Sequence, residues 1–242
     1  MTFLTGTSAI RPVFSLGRNG RLQHAPDEDL PRHRHQPSFI AVVLRGAYIE
    51  AGDSGFARLE AGDVAIHGPC EAHINRTGAR GAEVLLLPST SADGRNGRVR
   101  DVDEIVRLAE RDAHAASQYV ERSLTTRAAS PPDWPQLLAL ELIDQPNLGL
   151  ECWAEQHRLR PETVSRGFRQ VFGCAPKAYR ASVRAHRAWR DLKESDRPLK
   201  DIAAEWGFAD QGHMSRDIAQ LTGRPPRAWR KTGQTPFHQP TA

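Results

Sequence analysis

His33, His35 and His73 are the side chains whose type and spacing best fit metal chemistry. His33 and His35 are two apart, so on a strand they share a face. His73 ends a later strand-like run, after Gly62-Asp63 and Pro69. Neutral imidazoles of this kind suit a divalent ion such as zinc or nickel. They equally suit a polar lining that hydrogen-bonds or stays solvated, and His67 is a further candidate. A second set suits nucleic acid. Arg166 and Arg216 can each offer two hydrogen bonds to O6 and N7 of a guanine. Glu162, Ser165 and Arg169 flank the first, and Gly212 and His213 the second. A phosphate contact or a local salt bridge is the alternative role for either arginine. No hydrolase triad and no phosphate-binding loop accompanies these groups, so catalytic residues are expected to be none.

The elements that must carry the arginines are written twice. Ser165-Arg166, Gln170, Gly173, Pro176, Ala178, Tyr179 and Arg180 recur fifty residues later as Ser215-Arg216, Gln220, Gly223, Pro226, Ala228, Trp229 and Arg230. Val164, Phe168 and Val171 make an apolar stripe at i, i+4, i+7, and Met214, Ile218 and Leu221 repeat it. The candidate DNA-reading side chains lie on the opposite faces. A short helical run precedes each, Leu150 to Gln156 and Leu199 to Trp206, with one extra residue in the second turn. This is the pattern of two helix-turn-helix modules. Gly207 can supply a left-handed backbone at the second turn, and Asp210 is placed to cap the helix after it. The first copy instead has Pro161 at the first helical position and no cap side chain. Gly167, inside the first recognition helix, costs about 1 kcal/mol against alanine and suits close approach by another backbone.

"GFADQGHMSR" followed by "TGRPPRAWR", with "VSRGFRQVFGCAPKAYR" upstream, resembles the DNA-binding domain of the AraC/XylS family of transcription regulators. Ile218-Ala219 departs from the family's usual aromatic-basic pair. The resemblance runs from about Pro135 to Lys231. It implies double-stranded DNA as partner, a homodimer, a contact with RNA polymerase and a cytoplasmic location. It leaves the operator, the effector and the sign of control open. Pro176 to Glu194 reads as one long helix between the modules, roughly 28 Å at ~1.5 Å per residue. That is near the ~34 Å between successive major grooves on one face of B-DNA. Arg180, Arg184, Arg187 and Arg190 lie on or near it, suited to phosphate contact or to packing.

The histidines need a different scaffold. The runs "FIAVVLRGAYIEAG", "FARLEAGDVAIHGP" and "AHINRTGARGAEVLLLP" are short, apolar and broken by glycine, as in a small all-β barrel or sandwich ending at Pro88. Val13-Phe14 suggests a further short strand. The HxH pair and later histidine resemble the cupin fold, a β-barrel that binds a metal inside. That family carries a Glu three or four residues after the HxH, where this chain has Phe39 or Ile40, and its second motif is partly kept as "GDVAIHGPCEAHIN". The resemblance implies a barrel that senses a small molecule or metal effector and aids dimerisation. Tyr48 and Glu50 are polar groups suited either to its interior or, more commonly, to its rim.

The expected architecture is therefore α+β and multidomain. A cupin-like sensor spans 1–98, a helical linker 99–133 whose stripe suits either packing within the chain or pairing with a second copy, and an all-α double helix-turn-helix domain 134–242. Ser89 to Arg98 reads as a polar loop. Asp101 to Leu124 reads as one helix, with Val102, Ile105, Ala109, Ala113 and Ala116 in a stripe. Thr125 to Asp133 reads as the linker. Trp134 to Gln145 is the first helix of the reader, closed by Pro146-Asn147.

Charge follows this division. Residues 1–130 hold sixteen basic and sixteen acidic side chains, whereas His157 to Lys231 holds seventeen against eight. Positive charge concentrates where phosphates would be met. Cys70, Cys152 and Cys174 form no CxxC pair, which fits reduced thiols. No apolar run approaches the ~20 residues of a membrane span, and the N-terminus lacks an export signal's pattern. Two alternatives to a plain regulator stand beside it. One is a cupin-type metal-dependent enzyme carrying a DNA-binding module. The other is a regulator for which the histidines bind the signal itself.

Overall fold

The computed structural model describes residues 9–10, 20–126, 131–145 and 148–231. Val13-Phe14, Pro146-Asn147 and residues 127–130 of the expected Thr125 to Asp133 linker lie outside them. The chain divides into two compact units, Met1–Pro131 and Pro132–Ala242.

The first unit is an eight-stranded, mainly antiparallel sheet with two helices on one face. Its strands are β1 (Ala9–Ile10), β2 (Arg21–His24), β3 (Asp29–Arg34), β4 (Phe39–Gly52), β5 (Gly55–Glu60), β6 (Asp63–His67), β7 (Ala72–Pro88) and β8 (Arg95–Arg98). The ladder runs β1-β3-β7-β4-β6-β8, with β2 also on β7 and β5 also on β4. The expected all-β region is present, but this ladder is open at β1 and β8, not a closed ring. Its long strands β4 and β7 bend where register shifts near Val43/Arg45 and Gly46/Tyr48. Gly46 (φ 73°) sits against Gly81, and a Cβ there would lie 2.1 Å from the Gly81 carbonyl oxygen. Only glycine lets the two strands cross so closely.

Alternation sorts the apolar runs onto two faces. Phe39, Ala41, Val43, Val84 and Leu86 join Tyr48 and Leu59 in one core. Ile40, Val42, Val64, Ile66, Leu85 and Leu87 join a second. Because both faces are covered, β4 begins with an unbroken apolar run instead of a polar alternation. The second core is closed by α1 (Val102–Ala109) and α2 (Ala113–Ser123), through Ile105, Ala116 and Val120. Each fully buried aliphatic side chain of this kind is worth about 1.5–3 kcal/mol.

Two expectations are corrected here. Residues 101–124 form two helices, not one. The Asp112 carboxylate accepts from the backbone N–H groups of His114 and Ala115 at 2.8 and 3.1 Å, and so starts a new helix. The turn at Glu110–Asp112 lets both helices aim apolar residues at the sheet, and the stripe is consumed by that packing. Ser89 to Arg98 is not all loop either. Arg95–Arg98 pairs with Asp63–Ile66, pinned by an Arg98–Asp63 ion pair of 2.8 Å. Its "RNGR" sequence hides an edge strand held by backbone and charge instead of apolar side chains.

The second unit contains α3 (Trp134–Asp144), α4 (Leu150–Gln156), α5 (Pro161–Phe172), α6 (Pro176–Glu194), α7 (Leu199–Glu205), α8 (Gln211–Thr222) and α9 (Pro226–Lys231). Its core is aromatic: Trp153, Phe168, Phe172, Tyr179 and Trp189 are fully buried. Phe168 stacks on Phe172 at 4.6 Å, and Tyr179 meets both edge-on. Asp133 caps α3 in a capping box with Gln136. No helix among the described residues is long and apolar enough to cross a membrane.

Candidate nucleic-acid interface and candidate metal centre

The sequence repeat is a repeat of hydrogen bonds. In the first module Leu159 N–H bonds Ala154 O at 2.9 Å, and in the second Phe208 N–H bonds Ala203 O at 2.9 Å. Val164 to Arg160 is matched by Met214 to Asp210, Gly173 to Arg169 by Gly223 to Ala219, and Ala178 to Ala175 by Ala228 to Pro225. The extra residue of the second turn falls at or beside Ala209, between the pairs offset by 49 and those offset by 50. Left-handed backbone occurs in both turns, at Arg158 (φ 54°) and Gly207 (φ 67°). Arg158 carries the steric cost that glycine avoids.

Each module is also clasped by an arginine from the helix that follows it. Arg180 Nη1 donates to the Leu148 carbonyl at 3.0 Å, and Arg230 Nη2 donates to the Arg197 carbonyl. Arg184 donates to the Gly207 carbonyl at 3.0 Å and lies 4.4 Å over the Phe208 ring. Arg187 sits over Trp206, and Arg190 lies 3.8 Å from Glu194. The four arginines considered for phosphate contact thus all have partners inside the unit.

The recognition helices α5 and α8 bury one stripe and present the other face. Val164, Phe168 and Phe172 are buried on α5, and Met214, Ile218 and Leu221 on α8. Glu162, Ser165, Arg166, Arg169, Gly212 and Arg216 are exposed, and His213 is half-buried. Pro161 opens α5 without a side-chain cap. Asp210 caps α8, accepting from His213 N–H at 2.7 Å. That bond, with the N–H of Gly212 and the charges of Arg216 and His213, holds the Asp210 carboxyl below its ordinary range. His213 is turned inward: Nε2 lies 3.5 Å from Asp217, and the ring meets Phe208 edge-on. Burial raises the Asp217 carboxyl despite the opposing pull of His213, Arg184 and Arg216. Of the expected base readers, His213 is therefore the most constrained and Arg166 and Arg216 the freest to reach outward. Gly167 is crossed by the Trp134 ring, so the close neighbour is a side chain and not the backbone expected.

In the first unit the three histidines do converge. His33, His35 and His73 each offer a ligand atom, all within 4.8 Å of one another. Backbone register explains it, since β3 pairs with β7 so that His33 faces His73. A second triad shares His73: Glu50 on β4 and His67 on β6 join it within the same 4.8 Å limit, all buried. His67 Nε2 lies 3.3 Å from Glu50 Oε2, which also accepts from Asn75 at 3.3 Å. Burial alone would lower the His67 pKa, but the Glu50 charge and hydrogen bond, aided by Glu71, raise it. His73 is pushed well below the usual histidine value by burial and by His67, His33 and His35 around it. Its Nδ1 is buried without a hydrogen-bond partner. Glu50, suited by sequence either to the interior or, more commonly, to the rim, is buried. A lone carboxylate inside the apolar run of β4 was the signal.

These donors fit a transition ion: imidazole nitrogens with one carboxylate, and a buried imidazole nitrogen with no partner of its own. His33, His35 and His73 would hold such an ion, which would supply positive charge to the site.

Comparison with known proteins bears on the second unit. Residues 153–232 match the family model described as a helix-turn-helix domain. The HTH-type transcriptional activator RhaS of Klebsiella pneumoniae (strain 342) is 37% identical over 67 residues, covering 26% of this chain and 24% of that protein. The HTH-type transcriptional regulator YobQ of Bacillus subtilis (strain 168), itself uncharacterized, is 31% identical over 85 residues, covering 35% of each. The chain thus spans between a quarter and about a third of the length of these relatives. Among solved structures, ToxT from Vibrio cholerae O395 aligns with 90% of this chain and 99% of its own at 10% identity and a TM-score of 0.40. The shared bonds of the two modules agree with the family match, and residues 153–232 are a helix-turn-helix domain.

Proposed function

We propose that this chain is a sequence-specific DNA-binding transcription regulator, not an enzyme. The observation that carries the reading is the bond-for-bond duplication of two modules that leave Arg166 and Arg216 exposed at matching places. On DNA the two recognition helices enter successive major grooves. Arg166 and Arg216 read bases, and Glu162, Ser165, Arg169, Gly212 and His213 shape the readout. The basic excess between His157 and Lys231 supplies the sequence-independent affinity. The first unit, cupin-like in its motifs, senses a small molecule or a divalent metal through its histidines. The working form is a cytoplasmic homodimer that acts on RNA polymerase.

Footprinting of the DNA beside its own gene, followed by genome-wide selection of bound fragments, tests this at fixed moderate salt. Protection of two adjacent major-groove segments on one face is expected. Arg216→Ala should lose roughly 1–3 kcal/mol on the selected site and relax one base pair. Equal weakening on every sequence refutes base reading by Arg216. Selection that enriches no sequence refutes the regulator reading.

A further inference from the structure

We propose that Trp134 and Arg184 are matching positioning residues, each seating one recognition helix at the residue next to its reader arginine and so setting base discrimination at one half-site. The inference rests on the DNA-reading role proposed above and names the side chains that aim it.

The duplication reaches further back than the two helix-turn-helix modules. At the same offset of fifty, the buried Leu138, Ala139 and Leu142 of α3 recur as the buried Ala188, Trp189 and Leu192 of α6. Glu141 recurs as Asp191, and each accepts an indole N–H, from Trp153 at 2.9 Å and from Trp206 at 3.2 Å. Thus α3 supports α5 as α6 supports α8. In that frame Trp134 falls on Arg184, and Gly167 falls on Asp217. The contact is kept and its chemistry is exchanged.

In the first module the Trp134 ring lies on the bare backbone of Gly167, where a Cβ would stand 2.5 Å from Cζ2. In the second, two charged side chains fill the same place. Arg184 Nη2 lies 4.0 Å from Asp217 Oδ2, and the two side chains are only 16% and 22% exposed. The same carboxylate oxygen lies 3.5 Å from His213 Nε2, and so helps to keep His213 turned inward. The rest of the buried flank is alike in the two helices, Val164 and Phe168 matching Met214 and Ile218.

Gly167 stands about 100° round the helix from Arg166, as Asp217 does from Arg216. Helix separation follows the side chains at the contact. What lies between the supporting and reading helices at this flank therefore sets the roll of the reader. A bidentate arginine–guanine contact needs both bonds near about 2.9 Å, so a roll that moves the guanidinium by about 1 Å breaks one of them. The two seats do not mix. An indole over a carboxylate buries a charge without a partner, and a guanidinium over glycine does the same.

Two measurements on the full chain test this. The first is a double-mutant cycle in urea, without DNA, followed by tryptophan fluorescence. Trp134→Arg and Gly167→Asp copy the second seat into the first module. Each alone should lower the unfolding constant roughly tenfold or more, and the pair together should recover most of that loss. If Gly167→Asp alone does not fold, adding Trp134→Arg should restore a folded unit. Additive losses, or no restoration, overturn the shared seat. The second is selection of bound DNA fragments by Asp217→Asn, which keeps the shape and removes the charge. Discrimination at the base pair read by Arg216 should fall roughly tenfold, and that at the base pair read by Arg166 should stay. Equal loss at both half-sites, or loss at neither, overturns the positioning role. If the unaltered chain selects no sequence, the DNA-reading role fails and the positioning role with it, while the cycle still shows whether the seats exist.

Discussion

Gly167→Ala should destabilise the second unit, although helix propensity alone says the opposite. Alanine in a helix interior gains about 1 kcal/mol over glycine. Here the new Cβ would lie 2.5 Å from Cζ2 and 2.7 Å from Cη2 of Trp134. Ordinary carbon contacts are about 3.5–4.0 Å, so the methyl intrudes by roughly 1 Å. The indole must shift to admit the methyl. It begins α3 next to the Asp133 cap, and its ring lies 6.3 Å from that of Trp153. Overpacking of this kind costs about 1–3 kcal/mol, so the net change runs from near zero to a loss of about 2 kcal/mol. All five tryptophans lie in Pro132–Ala242, and urea unfolding followed by tryptophan fluorescence therefore reports this unit selectively. In a Trp134→Ala background the obstacle is gone, and Gly167→Ala should stabilise by about 1 kcal/mol. The sign should reverse between the two backgrounds. Equal stabilisation in both refutes the argument that the indole dictates glycine.

Asp210→Ala removes the only side-chain cap on either recognition helix and should cost about 1 kcal/mol in the same unfolding assay. An unchanged midpoint would mean the α8 N-terminus does not need it. For the metal-free first unit, calorimetry against pH should give a maximum near the ordinary histidine value of 6.5. His67 has a raised folded pKa, so its contribution is full below 6.5 and is lost as pH rises through that raised value. His73 has a depressed one, so its contribution is full above 6.5 and is lost as pH falls below it. His67→Gln should flatten the alkaline limb, and an unaltered limb would remove the Glu50–His67 pair as its cause.

The reader domain was legible in the sequence because its information is local. Helical stripes, the cap at Asp210, Pro161 and the fifty-residue offset all lie within single elements or their joints. The limits of β4 and β7 were equally plain, since glycine and apolar runs mark them. What escaped was set by contacts distant in sequence. The β8 pairing depends on Asp63, thirty-five positions from Arg98. The place of Glu50 depends on the far half of β4 pairing with β5 and β7 while its first half pairs with β6 and β7, and alternation within one strand does not specify that. The break before Asp112 was locally signalled, but a continuous apolar period masked it. Trp134 over Gly167 joins two helices whose pairing no spacing rule announces.

The shared helix α6 has a mechanical consequence. It follows the first recognition helix directly, and through Arg184 it grips the turn before the second. The two reading heads are therefore keyed to one shaft. A residue inserted midway would advance the far head by about 1.5 Å and rotate it by about 100°, and four residues would restore the phase to within about 40° at a cost of about 6 Å. One DNA base pair adds only about 3.4 Å. A shaft with steps of that kind has no setting that follows a half-site moved by a single base pair. On the proposed DNA-reading role, the spacing of the two half-sites is thus the property of an operator that this protein would be least able to renegotiate.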